Sequence, residues 1–413
     1  MKPAPKKTKL THNSGEAPQD RSVAALVPIM AVVFVAYLVI GVAMPVLPLH
    51  VHQGLGLSAF VIGLVTGSQF GASVLSRVWA GRYADKRGSK RAVVTGLLTA
   101  VAAGIFYVVS LRFTGTPLIS VTILLLGRAL LGAAESFIIT GAVSWGLYLA
   151  GTHNAGRVIA WVGMALFAAL ALGAPLGTAL YATGGFVAVA IATILMPLLT
   201  VLLVARLPAV APQGGLRPSL LNVAIAVWMP GFGSALSSIG FGVMIAFSSL
   251  LATQRGWTPV WLIFSTFAAS LVVARLAFGH APDRLGGARV ALVCVLIEAA
   301  GLALIWLAPN GTAAAAGAAL AGFGYSLVYP GLGVEAVRRA PPQSRGLAMG
   351  AYTVFLDVAL GFGSPALGLV AGRFGLDAAF LASALIVLGG AGIALRLLYA
   401  PAIERTAPCL MSS

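Results

Sequence analysis

About twelve long apolar segments, separated by short polar loops, constrain the fold of this chain more than any other feature. A helix that crosses a membrane needs ~20 predominantly apolar residues. The chain of 413 residues is 59% hydrophobic and 9% charged, with a mean hydropathy of +0.99. Soluble proteins carry about 25% charged residues. The sequence therefore predicts an all-α membrane protein that crosses the bilayer about twelve times.

We number the predicted spans 1 to 12 in chain order. They cover residues 24–49, 58–79, 92–111, 118–149, 156–182, 185–205, 221–250, 259–279, 289–308, 312–333, 347–371 and 378–400. The predicted organisation is a cytoplasmic tail (1–22), a six-helix half (23–205), a cytoplasmic linker (206–220), a second six-helix half (221–400) and a cytoplasmic tail (401–413). None of these loops is long enough for an additional soluble domain.

A short charged motif occurs twice, each time between two apolar segments. The first copy, GRYADKRGSKR, begins at Gly81, and the second, GHAPDRLGGAR, begins at Gly279. Both read G-x-x-x-D-[KR]-x-G. The offset between the glycines is 198 residues (279 − 81), and Asp85 and Asp283 are separated by the same 198. A constant offset indicates that the chain consists of two related halves.

The repeated motif resembles the signature loop between the second and third helices of each half in the major facilitator superfamily. The resemblance covers roughly residues 23–400. It implies twelve helices in two pseudo-symmetric halves of six. The outer end of span 1, the small-residue face of span 2 and the FLDVALGFGSP stretch of span 11 also look like the bacterial YhhS/YfcJ-type branch, whose members are often described as sugar or drug efflux permeases.

The resemblance further implies that the two motif loops form a cytoplasmic gate. Asp85 would dock on the N-terminus of span 11, and Asp283 on that of span 5, where a helix dipole favours an acid by ~0.3–1 kcal/mol. Gly88 and Gly286 are expected to form the tight turns. The candidate gating residues are Gly81, Asp85, Lys86, Gly88, Gly279, Asp283, Arg284 and Gly286. The alternative is that these loops only set topology and turn geometry.

The formal net charge of +16 has a topological explanation. With both termini in the cytoplasm, most Lys and Arg residues fall in the inner loops, as the positive-inside rule requires. We therefore expect contacts with anionic lipids rather than with nucleic acid. The resulting prediction is a multi-pass protein of the bacterial inner membrane.

Three of the charged residues predicted to lie deep in the bilayer are candidates for a functional role. Arg128 and Glu135 are seven residues apart in span 4 and so share one helix face, and Asp357 lies near the middle of span 11. Charges at this depth are costly and usually functional. We expect Asp357, with Arg128 and Glu135, to couple proton movement to transport. The alternative for Arg128 and Glu135 is a static buried ion pair.

Span 5 contains Gly173, Pro175 and Gly177, which resemble the antiporter motif of the same family. The match is partial, because Ala174 and Thr178 occupy two positions where that motif has glycine. Physically, a proline and nearby glycines predict a kinked, closely packed helix. Antiport is therefore indicated by resemblance, and simple helix packing is the alternative.

Three further residues are candidates for the wall of a substrate cavity. Gln69 lies mid-span in span 2, and Tyr325 and Tyr329 lie one turn apart in span 10, where their rings could stack on a ligand. Helix packing explains the same residues equally well.

The predicted function is secondary active transport by alternating access. No enzyme constellation, metal-ligand cluster or phosphate-binding loop is found in the sequence, so we expect no enzyme, no metal and no cofactor. The favoured hypothesis is export of a small organic molecule, such as a sugar or drug, in exchange for protons. The alternative is a facilitator or proton symporter that imports a sugar or organic acid. One bundle can enclose a complete pathway, so we expect a monomer.

Overall fold

The computed structural model describes residues 19–150, 155–209, 220–340 and 345–399. Most of the predicted N-terminal tail, residues 210–219 of the predicted linker and the predicted C-terminal tail lie outside the described residues.

The described residues form an all-helical bundle of twelve spans. Ten helices are long and apolar enough to cross a membrane. One of them, Ala155–Ala205, contains spans 5 and 6, because Gly184 and Gly185 leave the helical backbone region (φ −133°, ψ 15° and φ 60°, ψ −161°). Leu262–Phe278 is a shorter apolar helix and forms span 8. The predicted all-α fold with twelve transmembrane helices is confirmed.

The helices have the following bounds. Spans 1 to 4 are Gln19–Ala43, Ala59–Arg87, Ser89–Ser110 and Pro117–Ala150, spans 5 and 6 together are Ala155–Ala205, and spans 7 to 12 are Leu220–Gln254, Leu262–Phe278, Gly287–Leu307, Gly311–Arg339, Arg345–Phe374 and Leu376–Tyr399. Shorter helical segments are Val46–Leu49, His50–Gly54, Leu111–Phe113 and Ala281–Leu285.

The two motif loops are more helical than the sequence predicts. Span 2 was expected to end near residue 79, but its helix continues to Arg87, through most of the first motif. The charged end of this helix lies beyond the apolar stretch, so solvent can satisfy its side chains. Gly88 and Gly286 then end the two copies with the same backbone angle, φ 92°. A residue with a side chain adopts such a positive φ only with strain.

Close helix contacts at glycines join the two halves. A Cβ added to Gly63 would lie 2.2 Å from the carbonyl oxygen of Ser364, and one added to Gly67 would lie 2.4 Å from that of Gly361. Span 2 of the first half therefore packs with its backbone against span 11 of the second. Spans 5 and 8 form the corresponding contact, in which the Ser265 hydroxyl donates to the carbonyl oxygen of Ala171 at 3.0 Å.

The halves also meet at the end of the bundle where span 1 leads into span 2. Residues 39–51 and 241–252 are buried throughout. The short helix Val46–Leu49 contacts span 7 there. At the perimeter, by contrast, large apolar side chains are exposed, among them Leu199 and Leu202 of span 6. A surface of this kind suits contact with lipid tails.

Candidate transport site

A cavity of about 230 Å³ lies between the two halves. Its walls come from spans 1, 2, 4 and 5 of the first half and spans 7, 8, 10 and 11 of the second. Among the described residues, spans 3, 6, 9 and 12 contribute nothing to its lining. The walls are mainly apolar, with a few charged and phenolic groups. Such a surface suits a small organic ligand.

An ion pair between the halves forms part of this wall. The Arg77 guanidinium, on span 2, contacts the Asp357 carboxylate, on span 11. The Asp357 side chain is 4% exposed and that of Arg77 is 20% exposed. Arg77 also donates to the Ser73 hydroxyl at 3.2 Å. The mid-membrane carboxylate Asp357 is therefore paired across the interface.

A second carboxylate, Glu135 of span 4, lies in the same cavity. The Tyr37 hydroxyl donates to one of its oxygens at 3.1 Å, and the Gln69 amide donates to the other at 2.9 Å. Both donors belong to the first half. Arg77 interacts electrostatically with Glu135 as well as with Asp357. The four-residue spacing of Gln69, Ser73 and Arg77 places all three on one face of span 2.

A second arginine, Arg275 of span 8, lines the opposite part of the cavity. Its guanidinium carbon lies 5.3 Å from the ring centroid of Phe167, on span 5. Its Nη2 donates to the carbonyl oxygen of Ser326 at 3.0 Å. Among the described residues, no carboxylate forms a salt bridge with Arg275.

The structure brings together five of the six predicted coupling and cavity residues. Gln69, Tyr325, Tyr329, Glu135 and Asp357 all line the cavity. Tyr325 stacks on Phe241, with ring centroids 5.2 Å apart, and the Tyr329 hydroxyl lies 2.7 Å from that of Thr353.

Arg128 was expected to act with Asp357 and Glu135, and the structure does not group these three residues. Seven residues of helix separate Arg128 from Glu135 by ~10 Å along the axis. Arg128 is 1% exposed and lies beside Tyr107 of span 3, away from the cavity lining. Arg128 and Glu135 share a helix face but do not share a site, because the Arg128 side chain packs against span 3 in the interior of the first half.

Arg77, Arg275 and Tyr37 also line the cavity, and none of them was predicted as a site residue. A signal for the two arginines was present, since each lies four residues before the first glycine of a motif copy, Gly81 or Gly279. A tyrosine in an apolar helix gives no comparable signal.

The motif residues lie at helix ends outside the cavity. Lys86, Asp283 and Arg284 are exposed, whereas Asp85 is half-buried. The side chains at the start of spans 5 and 11, where the gate contacts were predicted, lie outside the described residues. The cytoplasmic gate thus stays a prediction.

Gly173 and Gly177 of span 5 pack against span 1. A Cβ at Gly173 would lie 2.6 Å from the carbonyl carbon of Gly41, and one at Gly177 would lie 2.0 Å from the carbonyl oxygen of Val42. Pro175 lies between them, inside the helix. Close packing within the first half therefore explains why both positions are occupied by glycine.

The family model described as Major Facilitator Superfamily matches residues 29–261 and 230–408. The chain belongs to this family of secondary transporters and is a multi-pass membrane transporter, not an enzyme.

Two similar proteins are bacterial transporters. The chain is 43% identical over 365 residues to an uncharacterized MFS-type transporter of Salmonella typhimurium, covering 88% of this chain and 94% of that protein. It is 40% identical over 362 residues to the uncharacterized MFS-type transporter YhhS of Escherichia coli, covering 88% and 89%. The predicted resemblance to YhhS-type transporters is confirmed.

Solved structures show the same fold at low sequence identity. The nucleoside transporter NupG matches with a TM-score of 0.72 at 15% identity, covering 91% of this chain and 100% of that one. The human organic anion transporter MFSD10 matches with a TM-score of 0.65 at 16% identity, covering 92% and 100%.

Proposed function

We propose that the protein is a secondary active exporter that moves a small organic molecule, sugar-like or drug-like, out of the bacterial cell in exchange for protons. The observation that supports this most is the Arg77–Asp357 ion pair, because it joins the two halves inside the cavity. A carboxylate placed there can bind a proton and change the contact between the halves in the same step. The direction of transport and its coupling to protons are the parts that we propose.

The proposed coupling is an exchange of partners by Arg77. When Asp357 binds a proton, it loses the charge that attracts the guanidinium, and the attachment between spans 2 and 11 weakens. Glu135, held by Tyr37 and Gln69, then becomes the remaining anion near Arg77. The guanidinium stays neutralised by a residue of its own half while the halves rotate. Loss of the proton restores the pair between the halves.

The direction of transport rests on the span 5 pattern. Gly173, Pro175 and Gly177 resemble the antiporter motif, which favours export against proton entry. Ala174 and Thr178 depart from that motif. The second candidate is therefore a facilitator or a proton symporter that imports a sugar or organic acid through the same cavity.

The remaining parts of the proposal concern the gate and the orientation. Asp85 and Asp283 would latch the cytoplasmic ends of the halves on the N-termini of spans 11 and 5. Both termini would lie in the cytoplasm, which agrees with the distribution of basic residues. One bundle encloses the whole cavity, so the transport unit would be a monomer.

The test is proton release in energised inside-out vesicles that contain the wild-type protein. Sugars, organic acids and amphipathic cations are added in turn, and the internal pH is followed with a fluorescent dye. We expect at least one compound to collapse the gradient with wild type and not with Asp357→Asn. Asp377→Asn is the matched control, because Asp377 pairs with Arg255 at the exposed surface.

The outcomes separate the two candidates. Gradient collapse that Asp357→Asn retains in full would remove Asp357 from the coupling step. Counterflow of a compound without any effect on the proton gradient would support the facilitator and contradict antiport.

A further inference from the structure

The two cavity arginines occupy equivalent positions in the two halves. Arg275 follows Arg77 by 198 residues (275 − 77), the same offset that relates the two motif copies. Each lies on the second helix of its half and reaches across to the fifth helix of the other half. Arg77 meets span 11 and Arg275 meets span 5.

The positions that these arginines face are also equivalent. In spans 5 and 11, Pro175 corresponds to Pro365 with an offset of 190 residues (365 − 175). The same offset relates Phe167 to Asp357 (357 − 167). One half of the pseudo-symmetric site therefore has a carboxylate opposite its arginine, and the other half has a phenyl ring at the equivalent place.

The Arg275 guanidinium is held in place without a carboxylate. The carbonyl oxygen of Ser326 accepts one hydrogen bond from the guanidinium at 3.0 Å. The guanidinium carbon lies over the Phe167 ring, 5.3 Å from its centroid. Tyr325 and Tyr329 line the same cavity, and their neutral phenols supply no counter-charge. No described acid forms a salt bridge with it, although it faces a cavity. Arg275 is partly buried, and a charge removed from water is costly unless an opposite charge neutralises it.

The other charges in the cavity already have partners. Arg77 is paired with Asp357, and Glu135 accepts hydrogen bonds from Tyr37 and Gln69. An incoming cation would therefore have to displace an existing contact to reach a carboxylate. An incoming anion finds a guanidinium whose charge is still available, and a guanidinium binds planar oxyanions in a bidentate manner.

We propose that Arg275 binds the anionic group of the transported molecule, which is a small organic monoanion with an aromatic or branched apolar body. The carboxylate, sulfonate or phosphonate of the substrate supplies to Arg275 the counter-charge that Asp357 supplies to Arg77 in the other half. The body of the substrate packs on Phe167, Tyr325 and Phe241, which line the same cavity. This inference rests on the proposed transport function and specifies its substrate class. A negative interior potential would also assist the exit of such an anion.

The first experiment measures equilibrium binding to the purified full-length protein in detergent, with no ion gradient. The probes are benzoate, phenylacetate, isovalerate, benzenesulfonate and phenylphosphonate, with the uncharged amides of the three acids as matched controls. Thermal shifts identify binders, and calorimetry gives their affinities. We expect at least one anion to bind and its amide to bind far more weakly. If no anion on the panel binds, or if amides bind as tightly as acids, the proposal is wrong.

The second experiment locates the anion. Arg275→Gln should weaken binding of that anion roughly 10- to 100-fold, as expected for loss of a charge-assisted hydrogen bond, and Arg275→Lys should lose less. Because Arg275→Gln could also perturb folding, a second pair of variants leaves Arg275 intact. Phe167→Asp supplies the missing carboxylate and should block anion binding to a similar extent. Phe167→Asn introduces a side chain of the same shape as aspartate but without its charge. This variant should bind the anion substantially better than Phe167→Asp does.

The results distinguish this inference from the proposed function. Equal anion affinity in Phe167→Asp and Phe167→Asn would overturn the role of Arg275, whatever the vesicle assay shows. Proton-coupled transport of neutral or cationic compounds only, unchanged in Arg275→Gln, would uphold the antiporter and reject the anion site. Anion binding that depends on Arg275, without any proton coupling, would reject antiport and uphold the site.

Discussion

At the scale of single residues, the charged groups in the membrane fall into two classes. Arg77, Asp357 and Glu135 line the cavity, and Arg77 pairs with Asp357. Glu298, by contrast, is 0% exposed, accepts a hydrogen bond from the Ser237 hydroxyl and has no place in the cavity wall. Depth in the bilayer does not distinguish the two classes, whereas a position in the cavity wall does.

The Arg77–Asp357 pair predicts a non-additive effect on stability. Removing one partner of a buried pair costs up to about 3–5 kcal/mol, because the remaining charge is left without its counter-ion. Asp357→Asn should therefore destabilise the protein more than the double variant Arg77→Gln/Asp357→Asn. Thermal unfolding in detergent measures the stability of Arg77→Gln, of Asp357→Asn and of the double variant. Destabilisation of the double variant equal to the sum of the two single effects would show that the pair is not energetically coupled.

Glu298 provides a contrasting prediction. Glu298→Gln keeps a side chain that can accept from Ser237, so we expect less than ~1.5 kcal/mol of destabilisation. Transport in vesicles should persist, whereas Asp357→Asn should lose coupling. Complete loss of transport in a folded Glu298→Gln protein would place a functional carboxylate outside the cavity and contradict the assignment.

At the scale of helices, glycine contacts between spans 2 and 11 determine where Arg77 meets Asp357. The backbones approach closely at Gly63 and Gly67. The ion pair follows farther along span 2, so the glycine contact sets the distance that the Arg77 side chain must bridge. Small residues commonly permit such approaches in membrane bundles.

Alanine substitutions along this face test that arrangement. Gly67→Ala places a Cβ 2.4 Å from the Gly361 carbonyl oxygen and should cost ~1–3 kcal/mol, because the helices must separate. Gly71→Ala is the matched control, since its Cβ would meet nothing within 4 Å. Thermal unfolding and transport rates of the two variants give the comparison. Equal damage from both would indicate that helix propensity or lipid contact, rather than inter-half packing, is responsible.

At the scale of the whole molecule, alternating access requires contacts between the halves to change while contacts within each half persist. The Ser265–Ala171 contact joins spans 8 and 5 across the interface. The Arg255–Asp377 salt bridge joins the residue after span 7 to the start of span 12, within the second half. The first contact is therefore expected to change during transport, and the second to persist.

Cross-linking these pairs makes the difference measurable. In a protein without its native cysteines, a short bifunctional reagent across Ala171→Cys/Ser265→Cys should stop transport, because the halves can no longer separate there. The same reagent across Arg255→Cys/Asp377→Cys should leave transport largely intact. Reversal by a cleavable reagent serves as the control for damage. Full activity with the inter-half link in place would rule out opening at this contact.

The sequence by itself determined the class of fold, the number of spans and the internal repeat. These properties follow from local hydropathy and from a motif with a constant offset, and neither requires knowledge of contacts between distant residues. It also identified Asp357, Glu135 and Gln69, because polar residues in apolar helices are costly and therefore conspicuous, and Tyr325 and Tyr329, because two tyrosines lie one turn apart in span 10.

Only the tertiary structure decided which of these residues act together. Arg77 and Asp357 are 280 residues apart in the chain, and only the packing of span 2 on span 11 brings them into contact. Arg128, which shares a helix face with Glu135, is drawn instead toward span 3. Helix periodicity gives the direction of a side chain from its own axis, but the neighbouring helix in that direction is chosen by packing across the whole bundle. Partners and cavity walls therefore depend on the three-dimensional arrangement of the halves.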